Sequence, residues 1–327
     1  MGSLLVADIG GTHARFSLAI GQPGKQVQLT QRQAFLCSEF ESFQGALERF
    51  LNSISEKPIR HAAIAIAGPI SGDFARMTNL HWEFSASGIK QQFNFDTVTF
   101  VNDLAAQGLA AVYVKANELC PIKLGNHQDF ATRAIIGPGT GLGVASLHWH
   151  EIDGWRAFPT EGGHIAFAPG DETEDAICQQ LRRDYGYVSL EMLLSGNGLV
   201  NIYRALASLR NNPALFTDAK EILTNVKKNT LCAASVKVLT NILGSATGDI
   251  ALAYGAKGGV YLGGGMTHYL LPFIDKTRFV ARFVQRGFRN DYLSAVPVNA
   301  ILHQTPGLLG AALWYYQHIN DIKLSVT

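Results

Sequence analysis

The chain has 327 residues, of which 47% are hydrophobic and 16% charged, and its formal net charge at pH 7 is +1. This composition excludes an intrinsically disordered chain, and the length exceeds what one hydrophobic core usually fills, so we expect two lobes or one large α/β unit. The near-neutral charge excludes the basic surface that nucleic acid or an anionic membrane requires. We therefore expect small-molecule partners, with no nucleic acid and no membrane.

The N-terminal segment lacks the pattern of a secretory signal, because the apolar residues 4–7 are followed at once by Asp8. No apolar run approaches the roughly 18 residues that a membrane-spanning helix needs. The four cysteines form no C-x-x-C pair, which argues against a zinc ribbon or a redox motif and favours free thiols. We therefore expect a cytoplasmic protein.

In chain order, the first predicted elements are two strands joined by a glycine turn. Residues 4–9 and 15–19 have the composition and alternation typical of strands, and Gly10-Gly11-Thr12 lies between them. The chain is therefore predicted to begin with a β-hairpin.

A helix and two strands follow. From Phe43, apolar residues recur at the i, i+3, i+4, i+7 spacing that marks one buried helix face. Residues 62–67 are an almost wholly apolar run, typical of a strand covered on both faces, and residues 97–101 form another strand. This strand runs through Asn102-Asp103 into a predicted helix over residues 104–113, which gives an α/β order.

The second half of the chain repeats the plan of the first. A strand at residues 134–136, a glycine turn at residues 137–143 and a strand at residues 144–147 indicate an internal duplication. A third glycine cluster, Gly263-Gly264-Gly265, follows a strand at residues 259–262. The remaining predicted helices lie at residues 174–183, from Leu190 onward, at residues 233–256 and at residues 307–318.

The glycine clusters are candidate phosphate-binding turns. Glycine lets the backbone adopt positive φ and brings several N–H groups close to an anion. Asp8, at the end of the first strand, is placed to hold a hydrated Mg²⁺, and the Thr12 hydroxyl can donate to a phosphate. Taken alone, a glycine turn of this kind is more often structural.

Other nucleotide-binding and catalytic motifs are absent from the sequence. There is no G-x-x-x-x-G-K-[ST] loop, and residues 137–143 fit no G-x-G-x-x-G frame. There is also no H-R-D loop and no G-x-S-x-G elbow. P-loop enzymes, simple dinucleotide-binding enzymes and α/β-hydrolases are therefore disfavoured.

Several short motifs occur in a fixed order along the chain. The main ones are D-x-G-G-T at residues 8–12, N-D at residues 102–103, G-P-G-T-G-L-G at residues 137–143 and Y-L-G-G-G-M at residues 261–266. The others are T-N-L-H-W at residues 78–82, E-G-G-H at residues 161–164 and L-S-G-N-G-L-V at residues 194–200. Over nearly the whole chain, this set resembles the bacterial hexokinase-like glucokinase family, of the actin, Hsp70 and sugar-kinase superfamily.

The resemblance implies a fold and a division of the chain. The fold would be the α/β, two-lobed, actin-like ATPase (ribonuclease H-like) fold, with a duplicated mixed-sheet core and a cleft between the lobes. The small domain would span residues 1–113, completed by a C-terminal helix at residues 304–327, and the large domain residues 114–303. Relatives that bind zinc carry a cluster of cysteines after the histidine that corresponds to His164. In this chain, Cys178 is the one cysteine between His164 and Glu191. The resemblance is therefore to the branch without zinc.

The resemblance also implies roles for the polar motifs. Asp103 would be the catalytic base that accepts the proton of the sugar hydroxyl, and a helix N-cap is the alternative for this residue. An E-x-x-H metal pair is the alternative for Glu161 and His164, and a solvated position near the start of a helix is the alternative for Glu191. The sugar would be bound by Asn102, Asp103, Glu161, His164 and Glu191.

The nucleotide would be held by the glycine turns. The implied cofactors are ATP and Mg²⁺, with Asp8 holding Mg²⁺ through water. The phosphates would contact Gly10, Gly11, Thr12, Gly139, Thr140 and Gly141, and the adenosine would contact Gly263, Gly264 and Gly265.

The implied activity is ATP-dependent phosphorylation of D-glucose to glucose 6-phosphate, the first step of glycolysis, by a homodimer. One alternative is a kinase for fructose, mannose or an amino sugar. Two others are a sugar-sensing regulator that has lost catalysis and an actin- or chaperone-like ATPase. The intact Asp103 argues against the regulator, and the set of sugar-binding residues argues against the ATPase.

Overall fold

The computed structural model describes residues 3–21, 26–56, 58–77, 80–126 and 128–324, and the chain divides into two compact units. Unit 1 is Met1–Val114, His150–Ala157 and His303–Thr327, and unit 2 is Lys115–Trp149 and Phe158–Leu302. The division expected from the sequence placed residues 150–157 in the large domain, whereas they group with unit 1. Thr78 and Asn79 of the T-N-L-H-W motif lie outside the described residues.

Along the chain, runs of strands are separated by single helices or runs of helices. The strands are β1 (Leu4–Ile9), β2 (His13–Ile20), β3 (Gln28–Leu36), β4 (His61–Ile66), β5 (Ile70–Ser71), β6 (Phe74–Arg76), β7 (Glu83–Ser85), β8 (Thr97–Asn102), β9 (Leu119–Lys123), β10 (Arg133–Pro138), β11 (Leu142–His150), β12 (Gly154–Thr160), β13 (Gly259–Leu262) and β14 (Val298–Ile301). The helices are α1 (Phe43–Ser53), α2 (Ala86–Phe93), α3 (Asp103–Ala111), α4 (Glu172–Tyr185), α5 (Gly196–Leu209), α6 (Ala219–Thr224), α7 (Thr230–Ala253), α8 (Thr267–Leu270), α9 (Lys276–Val284), α10 (Asn290–Ala295) and α11 (Pro306–Leu324).

Unit 1 contains a five-stranded mixed sheet in the order β3-β2-β1-β4-β8. The predicted hairpin is confirmed, because β1 pairs with β2 in antiparallel register. Strands β1, β4 and β8 run parallel, and their last residues, Ile9, Ile66 and Asn102, lie in one row. This register aligns the carboxyl ends of three strands, which is the edge where open α/β sheets bind ligands.

The central strands of unit 1 are buried, as their apolar composition predicts. All five residues of β4 after His61 are buried. Phe43 and Phe50 of α1 lie in one core cluster with alternate residues of β1 and β4, and α11 also contacts both strands. Since successive side chains of a strand point to opposite faces, full burial requires cover on both sides.

A second sheet has six strands in the order β12-β11-β10-β13-β14-β9, and its residues belong to unit 2 apart from His150 of β11 and residues 154–157 of β12. Its first five strands repeat the plan of unit 1: β10 pairs antiparallel with β11 and parallel with β13, and β13 is parallel to β14. Strand β9 then adds an antiparallel edge. The predicted internal duplication is therefore confirmed at the level of sheet topology.

One predicted helix begins later than expected. The helix predicted from Leu190 onward starts at Gly196, and Ser195 is its N-cap, with its side chain accepting the Gly198 N–H. A serine oxygen satisfies an N–H that the first helical turn would otherwise leave unpaired, and this favours a start at Ser195. Glu191 therefore lies in the turn before α5 and not on the helix.

Helix α11 packs against α3 at a position that admits only glycine. A Cβ on Gly310 would lie 1.8 Å from the carbonyl oxygen of Ala106, whereas a Cβ on Gly45 in α1 would meet its neighbours at 3.7 Å or more. Both glycines lie in helices, but Gly45 has room for a side chain and Gly310 has none.

We expect Gly310→Ala to lower the free energy of unfolding by about 1–3 kcal/mol, because backbone must shift to admit the methyl group. Urea unfolding followed by circular dichroism measures this loss. Gly45→Ala is the matched control and should be neutral or slightly stabilising, since alanine is the better helix former. Equal midpoints for Gly310→Ala and the native protein would contradict the packing described here.

Candidate active-site residues

Asp8 is a carboxylate within a strand of the central sheet of unit 1. It is the fifth residue of β1 and lies opposite Arg15 of β2, whose Nη1 is 3.8 Å from Asp8 Oδ2. Burial raises the pKa of Asp8, and the Arg15 guanidinium opposes part of that rise. Arg15 was not singled out from the sequence, although the register of a tight hairpin could have placed it across from Asp8.

Gly307 is a second neighbour of Asp8 that the sequence did not reveal. It follows Pro306, the first residue of α11, and a Cβ at this position would lie 2.5 Å from Asp8 Cγ. The N-terminal end of α11 therefore packs directly against the carboxylate, where the partial positive charge of a helix N-terminus favours an anion.

Asn102 and Asp103 stand where β8 ends and α3 begins. Asn102 is the N-cap, and its Oδ1 accepts the N–H groups of Leu104 at 3.1 Å and Ala105 at 3.0 Å. The capping role considered for Asp103 thus belongs to its neighbour, and Asp103 is the first helical residue. Because Oδ1 of Asn102 is engaged, its amide NH₂ is the group suited to a sugar oxygen.

Asp103 has an unusual acidity for a carboxyl group. Burial and, to a smaller extent, the nearby charge of Asp8 raise its pKa to about 7, although the nearby backbone N–H groups of Leu104 and Asp103 oppose the rise. At neutral pH this carboxyl therefore exists in both protonation states. Because the charge of Asp8 raises the pKa of Asp103, the end of β1 and the start of α3 belong to one electrostatic site.

The first glycine turn is closed by its own backbone. The Gly10 N–H donates to the carbonyl of His13 at 3.0 Å, and the Cys37 N–H donates to the carbonyl of Thr12 at 2.9 Å. Thr12 itself is exposed. The turn is therefore fixed at both ends while its tip faces solvent.

The second and third glycine clusters lie against each other in unit 2. The Met266 N–H donates to the Pro138 carbonyl at 2.9 Å, and a Cβ on Gly264, whose φ is +79°, would lie 2.3 Å from the same oxygen. Within the second turn, the Gly139 N–H donates to the Gly141 carbonyl at 2.8 Å, and Thr140 is exposed. The structure thus brings together Gly139–Gly141 and Gly263–Gly265, which the sequence only placed in order.

The predicted sugar-binding residues of unit 2 gather beside the second turn. Glu191 Oε2 accepts the Leu142 N–H at 2.8 Å, and the Glu191 N–H donates to the Gly163 carbonyl at 2.9 Å. A Cβ on Gly163 would lie 2.0 Å from the Leu142 carbonyl oxygen. Glu161 and His164 flank this contact, with Glu161 Oε2 3.9 Å from His164 Nε2 and side chains 90% and 58% exposed. Exposed oxygens and nitrogens of this kind are free to meet the hydroxyls of a sugar.

Two further properties bear on the class of site. Across the described ranges, no group of three His, Cys, Asp or Glu side chains is placed to hold a metal ion. Within the same ranges, no helix has both the length and the apolar character to span a bilayer.

A family model described as Glucokinase matches residues 5–318. The glucokinase of Saccharophagus degradans is 40% identical over 315 residues, which cover 96% of this chain and 98% of that relative. The chain belongs to the glucokinase family. The resemblance stated from the sequence is therefore confirmed.

Solved structures of glucokinases have the same fold. A glucokinase from an Antarctic psychrotroph matches with a TM-score of 0.84 at 36% identity, over 96% of this chain and 98% of that one. The glucokinase of Balamuthia mandrillaris, solved in complex with glucose, matches with a TM-score of 0.78 at 18% identity, over 97% of this chain and 94% of that one. The predicted α/β sugar-kinase fold is confirmed by both.

We expect the Asp103 carboxyl to lower the stability of the folded chain at neutral pH. Its folded-state pKa of about 7 lies above the ordinary value of 3.8, so the folded state binds more protons between these pH values and loses stability as the pH rises through them. Asp103→Asn should therefore be more stable than the native protein at pH 8, by at most about 4 kcal/mol.

Urea unfolding of both proteins at several pH values between 4 and 8 measures this difference. The gain should shrink as the pH falls towards 4, because Asp103 is then protonated in the folded native protein and partly protonated in the unfolded one. If the difference in free energy of unfolding between Asp103→Asn and the native protein does not change with pH, the ionised Asp103 carboxyl does not destabilise the folded state.

Proposed function

We propose that this member of the glucokinase family transfers the γ-phosphoryl group of ATP to the 6-hydroxyl of D-glucose. The products are ADP and glucose 6-phosphate, and the reaction is the first step of glycolysis. The observation that carries the proposal is the Asp103 carboxyl, whose pKa burial and Asp8 raise to about 7 at the end of a rigid strand. Homodimerisation and a cytoplasmic location are proposed from the family resemblance.

Asp103 acts as the general base. The sugar oxygen forms a bond to the γ-phosphorus while the bond between that phosphorus and the β–γ bridging oxygen breaks, and the hydroxyl proton passes to Asp103. A base works best when its pKa is near the working pH, since it is then both ionised and basic enough to accept the proton. Its place as the first residue of α3, directly after β8, fixes its position.

Asp8 would hold Mg²⁺, and its charge lies near enough to Asp103 to raise the pKa of that carboxyl. The donor set fits this ion, since Mg²⁺ is usually held by one or two carboxylates together with water and phosphate oxygens. When bound, Mg²⁺ would neutralise charge on the phosphates and oppose the effect of the Asp8 charge on Asp103, which would lower the free energy of the ionised base.

The glycine turns bind the nucleotide and the polar cluster of unit 2 binds the sugar. Gly10-Gly11-Thr12 and Gly139–Gly141 bind the phosphates through two exposed threonine hydroxyls and through backbone N–H groups other than those of Gly10 and Gly139, which donate within the turns. Gly263–Gly265 contact the adenosine. Asn102, Glu161, His164 and Glu191 supply a mixture of donors and acceptors that distinguishes the directions of sugar hydroxyls.

We expect purified protein with Mg²⁺ and ATP to release ADP only when a suitable hexose is present, and fastest with glucose. A coupled assay over glucose, fructose, mannose and glucosamine measures this. A sugar-sensing regulator would release no ADP, and a filament or chaperone ATPase would release ADP without regard to the sugar. A clear preference for another hexose would replace glucose as the substrate.

Asp103→Ala is the control in this assay. It should reduce glucose-dependent ADP release by at least about 100-fold, the usual contribution of a general base, while isothermal titration still detects glucose binding. Undiminished turnover would refute the assignment of the base without refuting the kinase activity.

We expect Gly307→Ala to impair the use of Mg²⁺, because its methyl group would collide with the Asp8 carboxylate. The Mg²⁺ concentration that gives half-maximal activity should rise about tenfold, equivalent to about 1.4 kcal/mol, while the KM for glucose stays within about twofold. Gly45→Ala, the tolerated helical substitution in the same unit, should leave both values unchanged. An unaltered Mg²⁺ dependence in Gly307→Ala would argue that Asp8 is not the magnesium ligand.

A further inference from the structure

We propose that Glu191 couples the sugar site to the second glycine turn, so that bound sugar increases the affinity for the nucleotide. One carboxylate oxygen holds the turn and the other accepts a sugar hydroxyl. This inference rests on the proposed function, in which Glu191 binds the sugar and Gly139–Gly141 bind phosphate.

The contact between Glu191 and the turn is direct and close. Oε2 accepts the Leu142 N–H at 2.8 Å, and a Cβ on Gly141 would lie 2.5 Å from the same oxygen but 3.8 Å from Oε1. Residues 141 and 142 therefore enclose one oxygen of the carboxylate. Among the residues that the structure describes, no donor is assigned to Oε1, which leaves that oxygen to a ligand.

The backbone around Glu191 joins the same two regions. The Glu191 N–H donates to the Gly163 carbonyl in the E-G-G-H segment, at 2.9 Å, and the Glu191 carbonyl accepts the Ser195 hydroxyl at 2.8 Å. The Gly196 N–H then donates to the Gly139 carbonyl at 2.9 Å. Residues 191–196 thus form a hydrogen-bonded link from the sugar segment to the glycine turn.

A sugar hydroxyl on Oε1 would restrict the rotation of the Glu191 carboxylate. The charge-assisted bond from the Leu142 N–H would then be held in one geometry, and the turn would lose less conformational freedom when it binds phosphate. Coupling between two sites typically changes affinity by about 5- to 150-fold, and the change is reciprocal. A disturbance of the turn should therefore weaken sugar binding even without nucleotide.

Glu161 provides an internal contrast. It is proposed to bind the same sugar, but its side chain is 90% exposed and lies near His164. Because it does not hold the turn, its loss should weaken sugar binding without changing how the sugar affects the nucleotide.

The first test measures the Kd of glucose in the absence of nucleotide for two variants of the same turn. Gly141→Ala pushes a methyl group into the Glu191 carboxylate, and its Kd for glucose should rise about tenfold. Gly139→Ala is the matched control, because its Cβ would meet its neighbours at 3.8 Å, and its Kd should stay within about twofold. An equal Kd in both variants would overturn the proposal.

The second test measures the Kd of a non-hydrolysable ATP analogue with and without saturating glucose. In the native protein and in Glu161→Gln, glucose should lower the Kd of the analogue by the same factor, about fivefold or more. In Glu191→Ala this factor, called the gain, should be close to one. This arm remains informative if Gly141→Ala fails to fold. If Glu191→Ala binds both ligands and shows the full gain, the proposed coupling is wrong but the proposed kinase activity is not affected. If the native protein binds neither ligand, the proposed function itself is refuted.

Discussion

The parallel register of β1, β4 and β8 is the constraint on which the proposed catalytic site residues of unit 1 depend. It aligns Ile9, Ile66 and Asn102 in one row, so that Asp8 and Asp103 come close enough to repel each other. Carboxylates do not normally approach in a poorly hydrated place, because each raises the free energy of the other's ionised form. The hydrogen-bonded sheet holds them there, and the resulting pKa of Asp103 is the property that a base at neutral pH requires.

The two units use one sheet plan for different chemistry. When Gly11-Thr12 of the first turn is aligned with Gly139-Thr140 of the second, the position of Asp8 is occupied by Ile136, which is buried. The second turn therefore has no carboxylate of its own at the strand end. A carboxylate that bonds to the backbone beside this turn is that of Glu191, which lies 49 residues further along the chain than Leu142. The two units therefore share a sheet plan, but the carboxylates near their glycine turns come from different places: Asp8 from β1 itself and Glu191 from the segment before α5.

Close approach through glycine is the second physical theme. Gly163, Gly264 and Gly307 each stand where a Cβ would collide with a backbone carbonyl or with Asp8. At these positions the missing side chain lets one functional segment touch another. A substitution by alanine at such a position removes no interaction but adds a methyl group where there is no room for one.

The sequence by itself determined the hairpin, the buried strands, the duplication and the family, because hydrophobic periodicity and ordered motifs are local properties. It did not determine the exposed, mostly polar strand β3 or the short strands β5, β6 and β7, whose pairing depends on neighbours and not on alternation. Only the tertiary structure decided that Asn102 caps α3, that Gly307 lies on Asp8 and that Glu191 holds Leu142. The contacts of Gly307 and Glu191 join segments that are distant in the chain and meet only when the protein folds. The Asn102 cap is local, and it depends on whether the helix begins at Asp103 or one residue later.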